Sequence, residues 1–201
     1  MSHTPKKENT VLKENEYSPV ILRQTPGASQ KNLTGPPRVA RDIVADLYNN
    51  IQHWNDSHIK GAQIVKQIAI LKSEDHRNYS PQLEEYTNDL FSVVLSLDIY
   101  RKHFEHYNTQ IKAVSKLEKN SEPIFISLNA TALANAVIDI ANAYIAEFKL
   151  KKLVLENIAH SKNKHEAMFY AACWAHQTRI TSSINVTLEA LLVETGFRPI
   201  N

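Results

Sequence analysis

Apolar residues recur along most of the chain at spacings that alternate between three and four positions. This 3.5-residue period is typical of helices that pack lengthwise against one another. From Arg38 to Lys72 the period includes Val44, Leu47, Ile51, Trp54, His58, Gly61, Val65 and Ile68. From Pro81 to Lys119 it includes Leu83, Tyr86, Leu90, Val93, Leu97, Tyr100, Phe104, Tyr107, Ile111 and Val114. The pattern predicts two long helices joined by a polar connector at residues 73–80.

The second of these helices is too long to be enclosed in a compact domain. From Pro81 to Lys119 it would extend about 58 Å at 1.5 Å per residue. We therefore predict that the two helices form a long antiparallel coiled-coil-like hairpin. Ile43, Ile64 and Leu71 flank the apolar series of the first helix, so a third helix or another chain must bury them.

Two positions in the first apolar series are not apolar. Gly61 lowers the helix propensity by about 1 kcal/mol, but it allows a partner backbone to approach closely. His58 has two interpretations, either a buried polar group that sets the register or a side chain exposed at the rim. Trp54 is predicted to be a core or interface anchor, since tryptophan buries a large area.

A group of three shorter helices is predicted after a loop at residues 120–129, in which Ile124 and Phe125 look exposed. These helices cover residues 130–159, 165–176 and 184–195. The outer side of the first of them carries Lys149, Lys151 and Lys152. Gly196 follows the last helix as its C-cap.

The distribution of helix breakers supports an all-α fold. Five of the eight Pro and two of the four Gly lie in residues 1–37, which we predict to be a disordered tail. The rest of the chain is poor in breakers and has no β-branched strand pattern. We therefore divide the chain into a disordered tail (1–37), a long helical hairpin (38–119) and a C-terminal helical region (120–201), with 38–201 as one folded unit.

Charge and targeting signals narrow the classes of partner. The net charge is +2, from 23 basic and 21 acidic residues, which gives no reason to expect direct nucleic-acid or membrane binding. No apolar stretch is long enough to span a bilayer, and the first residues do not resemble a secretory signal. The single Cys suits a reducing compartment. Thr4 precedes Pro5 and has Lys7 three positions on, the minimal pattern of a proline-directed kinase site, so it is a candidate phosphorylation site.

The sequence contains a weak metal pattern and a weak catalytic pattern. The first consists of His160, His165, Cys173 and His176, but it lacks the paired ligand spacing of structural zinc sites. The second is Cys173 with His176, one helical turn apart, without glycine-rich turns to build an oxyanion hole. Helix-surface histidines and a packed thiol are the favoured interpretation. We predict no catalytic residue, no metal and no cofactor.

The C-terminal segment, from Cys173 to Arg198, has a more specific composition. It is either a structural cap or a docking surface, and we favour docking, with Trp174 as the anchor. In the docking interpretation, Gly196 ends the last helix so that Phe197 and Arg198 turn towards a partner. The candidate partner-binding residues are Trp54, Gly61, Phe125, Trp174, His176, Gln177, Glu194 and Arg198.

This segment resembles the ending of the cyclin-dependent kinase 2-interacting protein family. The matching positions there are Trp174, His176, Gln177, Leu188, Glu189, Leu191, Leu192, Glu194, Thr195, Gly196 and Arg198. In the first helix they are Arg38, Asp42, Ala45, Asp46, Asn49, Ile51, Trp54, Gly61, Ile68, Leu71 and Lys72. In the third they are Tyr144, Glu147, Leu150, Lys151, Val154, Ala159 and His160. The resemblance is weak between Asp75 and Ser121, and Leu47 and Leu128 stand where the family pattern has Trp.

The resemblance implies a non-catalytic adaptor or scaffold. Its expected partners are cyclin-dependent, replication-initiating and checkpoint kinases, a pair of AAA-type ATPases and a second small helical subunit. The expected processes are DNA replication, the DNA damage checkpoint, maturation of the large ribosomal subunit and turnover of replisome proteins. The expected location is the nucleus, with a cytoplasmic pool in addition. The alternative from the apolar period alone is a self-associating coiled-coil structural protein.

Overall fold

The computed structural model describes residues 33–74, 80–118 and 121–199. Within these ranges the chain forms five α-helices and no strand, so the predicted all-α fold is confirmed. The helices are α1 (Pro36–Glu74), α2 (Pro81–Leu117), α3 (Ala130–Ile158), α4 (Lys164–His176) and α5 (Ser182–Glu194). Residues 1–32, which include Thr4, lie outside the described ranges. None of the described helices is both long and apolar enough to cross a membrane.

The long helices α1 and α2 pack together as an antiparallel hairpin. Ser80 starts α2 as its N-cap, since its hydroxyl accepts a hydrogen bond from the backbone N–H of Leu83 at 3.2 Å, and Pro81 takes the first helical position. Asn50, which is buried on α1, donates to the carbonyl of Tyr100 at 3.0 Å and lies 3.0 Å from Nδ1 of His103. This buried amide joins the two helices at one register.

The buried positions of α2 follow the predicted series in most but not all turns. Leu83, Leu90, Leu97 and Phe104 are buried as predicted, but Val94 is buried in place of Val93, which is only half-buried. The series assumes a single neighbour, whereas α2 packs against both α1 and α3. A second neighbour widens the buried face beyond the narrow stripe of a two-helix coiled coil.

Helices α4 and α5 lie on the opposite side of α1 and α3 from α2. Both contact α1 and α3, and within the described ranges neither contacts α2. The arrangement resembles a four-helix bundle in which α1, α2 and α3 take three of the positions. Helices α4 and α5 together, one after the other, take the fourth. Helix α1 is therefore covered on several sides by the same chain, and Ile43, which flanks its apolar series, is buried without another chain.

The structure corrects the prediction for one lysine of α3. Lys149 and Lys152 are exposed as predicted, but Lys151 is completely buried. It points into the interior because Glu147, one turn earlier on the same helix, is also buried and neutralises its charge.

Candidate functional site

Trp174 fixes α4 against α1. Its ring lies so close to Gly61 that an added Cβ atom there would stand 2.1 Å from Cζ2 of the indole. The indole Nε1 donates a hydrogen bond to the carbonyl of His58 at 3.1 Å, and the whole side chain is buried. The close approach that the sequence predicts at Gly61 is therefore made within the chain by an indole ring rather than by a backbone.

Lys151 and Glu147 form a fully buried ion pair beside this indole. Lys151 Nζ lies 2.9 Å from Glu147 Oε1, donates to the carbonyl of Trp174 and stands 4.8 Å from the centre of its ring. The other carboxylate oxygen of Glu147 accepts a hydrogen bond from the backbone N–H of Arg179 at 3.0 Å. Burial lowers the pKa of Lys151, and the Glu147 carboxylate opposes that shift. The pair ties α3 to α4 and to the turn that follows it.

Gln177 closes the same region from the end of α4. It is the C-cap of α4 and has a left-handed backbone, with φ 43° and ψ 57°, which is uncommon for a residue other than glycine. Its Oε1 accepts a hydrogen bond from Nε1 of Trp54 at 3.0 Å. The ring of Trp54 packs edge-on against Phe104 and Tyr144, so α1, α2, α3 and α4 meet at one aromatic centre.

These contacts define what we call the tryptophan network. Its members are Trp54, Gly61, Glu147, Lys151, Trp174 and Gln177. All six are among the positions that carry the family resemblance, and the structure brings them together from α1, α3 and the end of α4. The network positions helices. For Trp54, Gly61 and Trp174, which are buried in the chain, a role in partner binding stays a prediction.

His58 lies in the interior next to the tryptophan network. Burial, and then the charge of Lys151, lowers the pKa of His58 from 6.5 to about 4. Its Nδ1 atom is buried without a hydrogen-bond partner among the described residues. The imidazole is therefore neutral near pH 7, and the rim-exposed interpretation of His58 is wrong.

Glu194 joins the end of α5 to the loop before α3. Its Oε1 accepts hydrogen bonds from the backbone N–H groups of Ile126, Ser127 and Leu128, at 3.0, 2.5 and 2.6 Å. Burial raises the pKa of Glu194, but the hydrogen bonds from Leu128, Ser127 and Ile126 outweigh burial, and the pKa falls below 4.5. The carboxylate thereby fixes a loop segment next to Phe125, which is half-buried.

The residues after α5 turn back onto α1. Gly196 has φ 75°, and the backbone N–H groups of Phe197 and Arg198 donate to the carbonyl of Leu192, at 2.8 and 3.1 Å. Phe197 lies under the guanidinium of Arg41, and Arg198 lies over the ring of Tyr48 and pairs with Glu189. Phe197 and Arg198 thus contact their own chain. The Arg198 side chain stays 40% exposed and remains within reach of a partner.

The described ranges contain no group of three His, Cys, Asp or Glu side chains that could hold a metal ion. His160, His165 and His176 are exposed, and Cys173 is half-buried. Among the candidate residues, His176 is the one placed on open surface by α4.

Sequence reasoning missed the role of Glu147 and Lys151 in the interior. A signal was present, because the two are four positions apart on one predicted helix, the spacing at which a Glu and a Lys meet. That spacing is common on exposed helix faces, and only the surrounding helices reveal that the pair is buried.

The fold and the tryptophan network define a class, an all-helical bundle protein whose helices are joined by a buried aromatic and polar centre. No family model matches the chain. The chain is similar to cyclin-dependent kinase 2-interacting protein of Xenopus laevis, with 26% identity over 192 residues that cover 84% of this chain and 93% of the relative. The proteins of that name from Bos taurus and Homo sapiens are 24% and 23% identical, each over 83% of this chain and 92% of the relative. The resemblance to the cyclin-dependent kinase 2-interacting protein family is thereby confirmed across most of both lengths.

Proposed function

We propose that this chain is a non-catalytic adaptor that binds a kinase of the cyclin-dependent kinase 2 type and serves as a scaffold subunit. The observation that carries the proposal is the similarity to proteins named for that interaction, over most of both chains. The positions on which the family resemblance rests include the whole tryptophan network, which supports a bundle held together in the same way in the relatives.

Kinase binding is tested with purified components. We would immobilise the full chain and measure the capture of purified cyclin-bound cyclin-dependent kinase 2, with an unrelated helical bundle as the control. The expected result is saturable capture of the kinase by the chain alone. Failure of the purified kinase to bind at micromolar concentration would overturn the proposed direct interaction.

Thr4 supplies a second test of the kinase link. Thr4, Ser18 and Thr25 each precede Pro, but only Thr4 also has Lys three positions on. After incubation with the kinase and ATP, mass spectrometry should find phosphate at Thr4, and Thr4→Ala should remove it. Thr25→Ala is the matched control and should leave it unchanged. Phosphate on Ser18 or Thr25 alone would contradict the assignment.

The finer part of the proposal concerns the assembly in which the adaptor works. We place the chain with a pair of AAA-type ATPases and a second small helical subunit, in large-subunit ribosome maturation and replisome protein turnover, and linked to replication and checkpoint kinases. Its location in this proposal is the nucleus, with a cytoplasmic pool. What supports this is the family resemblance alone. Co-purification of the chain with both ATPases from nuclear extract, followed by reconstitution from purified subunits, tests it.

The predicted docking role of the C-terminal segment is separable from its structural role. His176 is exposed and Arg198 is partly exposed, whereas Gln177 holds Trp54. We therefore choose His176→Ala and Arg198→Ala as the docking variants and exposed Lys149→Ala as the control. Docking predicts a loss of ATPase capture in the first two variants only. Stability against melting should be unchanged in His176→Ala and lowered by at most about 1 kcal/mol in Arg198→Ala, which loses a partly exposed ion pair. Capture at the wild-type level in both would return this segment to the role of a structural cap.

The alternative, a self-associating coiled-coil protein, gains no support from the fold. Its apolar series would need to face a second copy. In the structure the central positions of that series, such as Leu90, Leu97, Phe104 and Ile111, are buried by helices of the same chain.

A further inference from the structure

The first half of α2 carries an apolar ridge on its outer surface. Phe91, Leu95 and Ile99 are each 52% exposed. They are four residues apart, so they stand next to one another along two helical turns, over about 12 Å. An isolated exposed apolar side chain is ordinary, but three large ones in a row on one helix face are typical of a surface that another chain covers.

This ridge is left open by the bundle itself. Within the described ranges α2 contacts only α1 and α3, through a buried face that includes Leu90, Val94 and Leu97. Phe91, Leu95 and Ile99 lie on the remaining side of α2. The family resemblance is weak between Asp75 and Ser121, the range that contains α2, so it does not account for this surface.

In the segment of α2 that carries the ridge, the charged residues have one sign. Between Pro81 and Tyr100, α2 contains four acidic residues and no basic one. Glu84, Glu85 and Asp89 are exposed and form no ion pair with the described residues. The fourth, Asp98, is already paired with Arg101 and Lys102. The open face thus combines an apolar ridge with three uncompensated carboxylates.

We infer that the outer face of α2, from Glu84 to Ile99, binds an amphipathic helix of a partner protein that carries Lys or Arg beside its apolar stripe. An apolar stripe would cover the ridge, and the flanking cations would face the carboxylates. A second copy of this chain that used the same face fits less well, because Arg101 and Lys102, the basic residues of α2 nearest to the ridge in sequence, are already paired within α2. The inference deepens the proposed adaptor function and rests on it.

The test uses the full chain and defined peptide probes. The first probe is a synthetic helix of about 18 residues with Leu along one stripe and Lys on both flanks. The second has Glu in place of every Lys, and the third is a scrambled version of the first. Binding is measured by fluorescence anisotropy at low and high salt, since exposed charge pairs weaken as salt rises.

Two variants remove the two parts of the site. One replaces Phe91, Leu95 and Ile99 by Gln, and the other combines Glu84→Gln, Glu85→Gln and Asp89→Asn. The matched control replaces three exposed apolar residues elsewhere, Met168, Phe169 and Val186, by Gln. All of these residues are exposed, so circular dichroism should report wild-type helicity and melting in each variant.

We expect the Lys-flanked helix to bind the wild-type chain. Each α2 variant should weaken the affinity for this helix by about tenfold or more, which is about 1.4 kcal/mol. The control variant should leave the affinity unchanged. Equal binding of the Glu-flanked or scrambled helix, or an effect of the control as large as that of the α2 variants, would overturn the inference. So would concentration-dependent dimerisation that the apolar α2 variant abolishes, because the occupant would then be a second copy. Capture of purified kinase by the same proteins distinguishes the proposed function from this inference. If the wild-type chain does not capture the kinase, the proposed function is wrong. If it captures the kinase but does not bind the Lys-flanked peptide, only this inference is wrong.

Discussion

Gly61 is a position at which one added methyl group should directly lower the stability of the protein. Alanine there would improve helix propensity by about 1 kcal/mol, but its Cβ would stand 2.1 Å from the indole of Trp174. The ring is held by its hydrogen bond to the carbonyl of His58 and by the Lys151 ammonium 4.8 Å from its centre, so it cannot move freely. We expect Gly61→Ala to lower the free energy of unfolding by about 1–3 kcal/mol, the usual cost of overpacking. Urea unfolding measures this. Gln63→Ala, at an exposed position of α1, is the control and should change stability by less than about 0.5 kcal/mol.

His58 should make stability depend on pH in the acidic range. Its pKa is lowered to about 4 in the folded state and is 6.5 when unfolded. Between these values the unfolded chain binds more protons than the folded chain, so stability is lost as pH falls from 6.5 to 4. The loss attributable to this residue is about 3 kcal/mol, from 1.36 kcal/mol per pKa unit.

The measurement is a series of urea unfolding curves from pH 4 to 7 for the wild type and His58→Gln. Glu194 also loses its stabilising effect as pH falls, but it does so in both proteins, so the difference between the curves isolates His58. A difference that stays constant across the range would show that His58 does not titrate as proposed.

At the scale of elements, Glu194 links α5 to the loop before α3. Glu194→Ala removes the oxygen that accepts from the backbone N–H groups of Ile126, Ser127 and Leu128. We expect a loss of about 1–3 kcal/mol and faster hydrogen exchange at those three amides. Glu189→Ala, which removes a partly exposed partner of Arg198, should cost at most about 1 kcal/mol. Unchanged exchange in the loop would mean that the loop is held by other contacts.

The register of α2 gives a second prediction at this scale. Leu97 is fully buried, whereas Val93 is half-buried. Leu97→Asp should therefore destabilise the protein by about 3 kcal/mol or more, because it buries an unpaired charge, and Val93→Asp should cost clearly less. Ser92→Asp, on the exposed side, is the control. Equal losses at Leu97 and Val93 in thermal unfolding would contradict the observed register.

The sequence predicts helices better than it predicts which of their faces are shared. The apolar period places α1 and α2 correctly, and Ser80-Pro81 marks the start of α2, because capping and periodicity are local properties. The burial of Val94 and Lys151 is not predicted, for a different reason. Their burial depends on α3 and α4 arriving from distant parts of the chain, which local pattern does not encode.

The same limit applies to the candidate site. The residues of the tryptophan network can be picked out by resemblance, but their partners cannot. Trp174 packs against Gly61, and Gln177 accepts a hydrogen bond from Trp54. The residues of each pair are more than a hundred positions apart in the sequence. These contacts give Trp54, Gly61, Trp174 and Gln177 a structural role, and their role in partner binding stays a prediction. Of the candidate residues, His176 is exposed and the Arg198 side chain is 40% exposed.

At the scale of the whole molecule, the bundle uses its own helices to bury the apolar series that would otherwise pair two copies. Helix α1 is covered by α2, α4 and α5, and the buried face of α2 is shared between α1 and α3. We therefore expect the purified chain to be a monomer, with a mass near 22.9 kDa by light scattering at micromolar concentration. The variant with Gln at Phe91, Leu95 and Ile99 is the control and should have the same mass. A stable wild-type dimer would contradict the assignment of the apolar series to the interior of one chain and favour the self-associating coiled coil. A wild-type dimer that is replaced by a monomer in this variant would instead place the contact between copies on the outer face of α2.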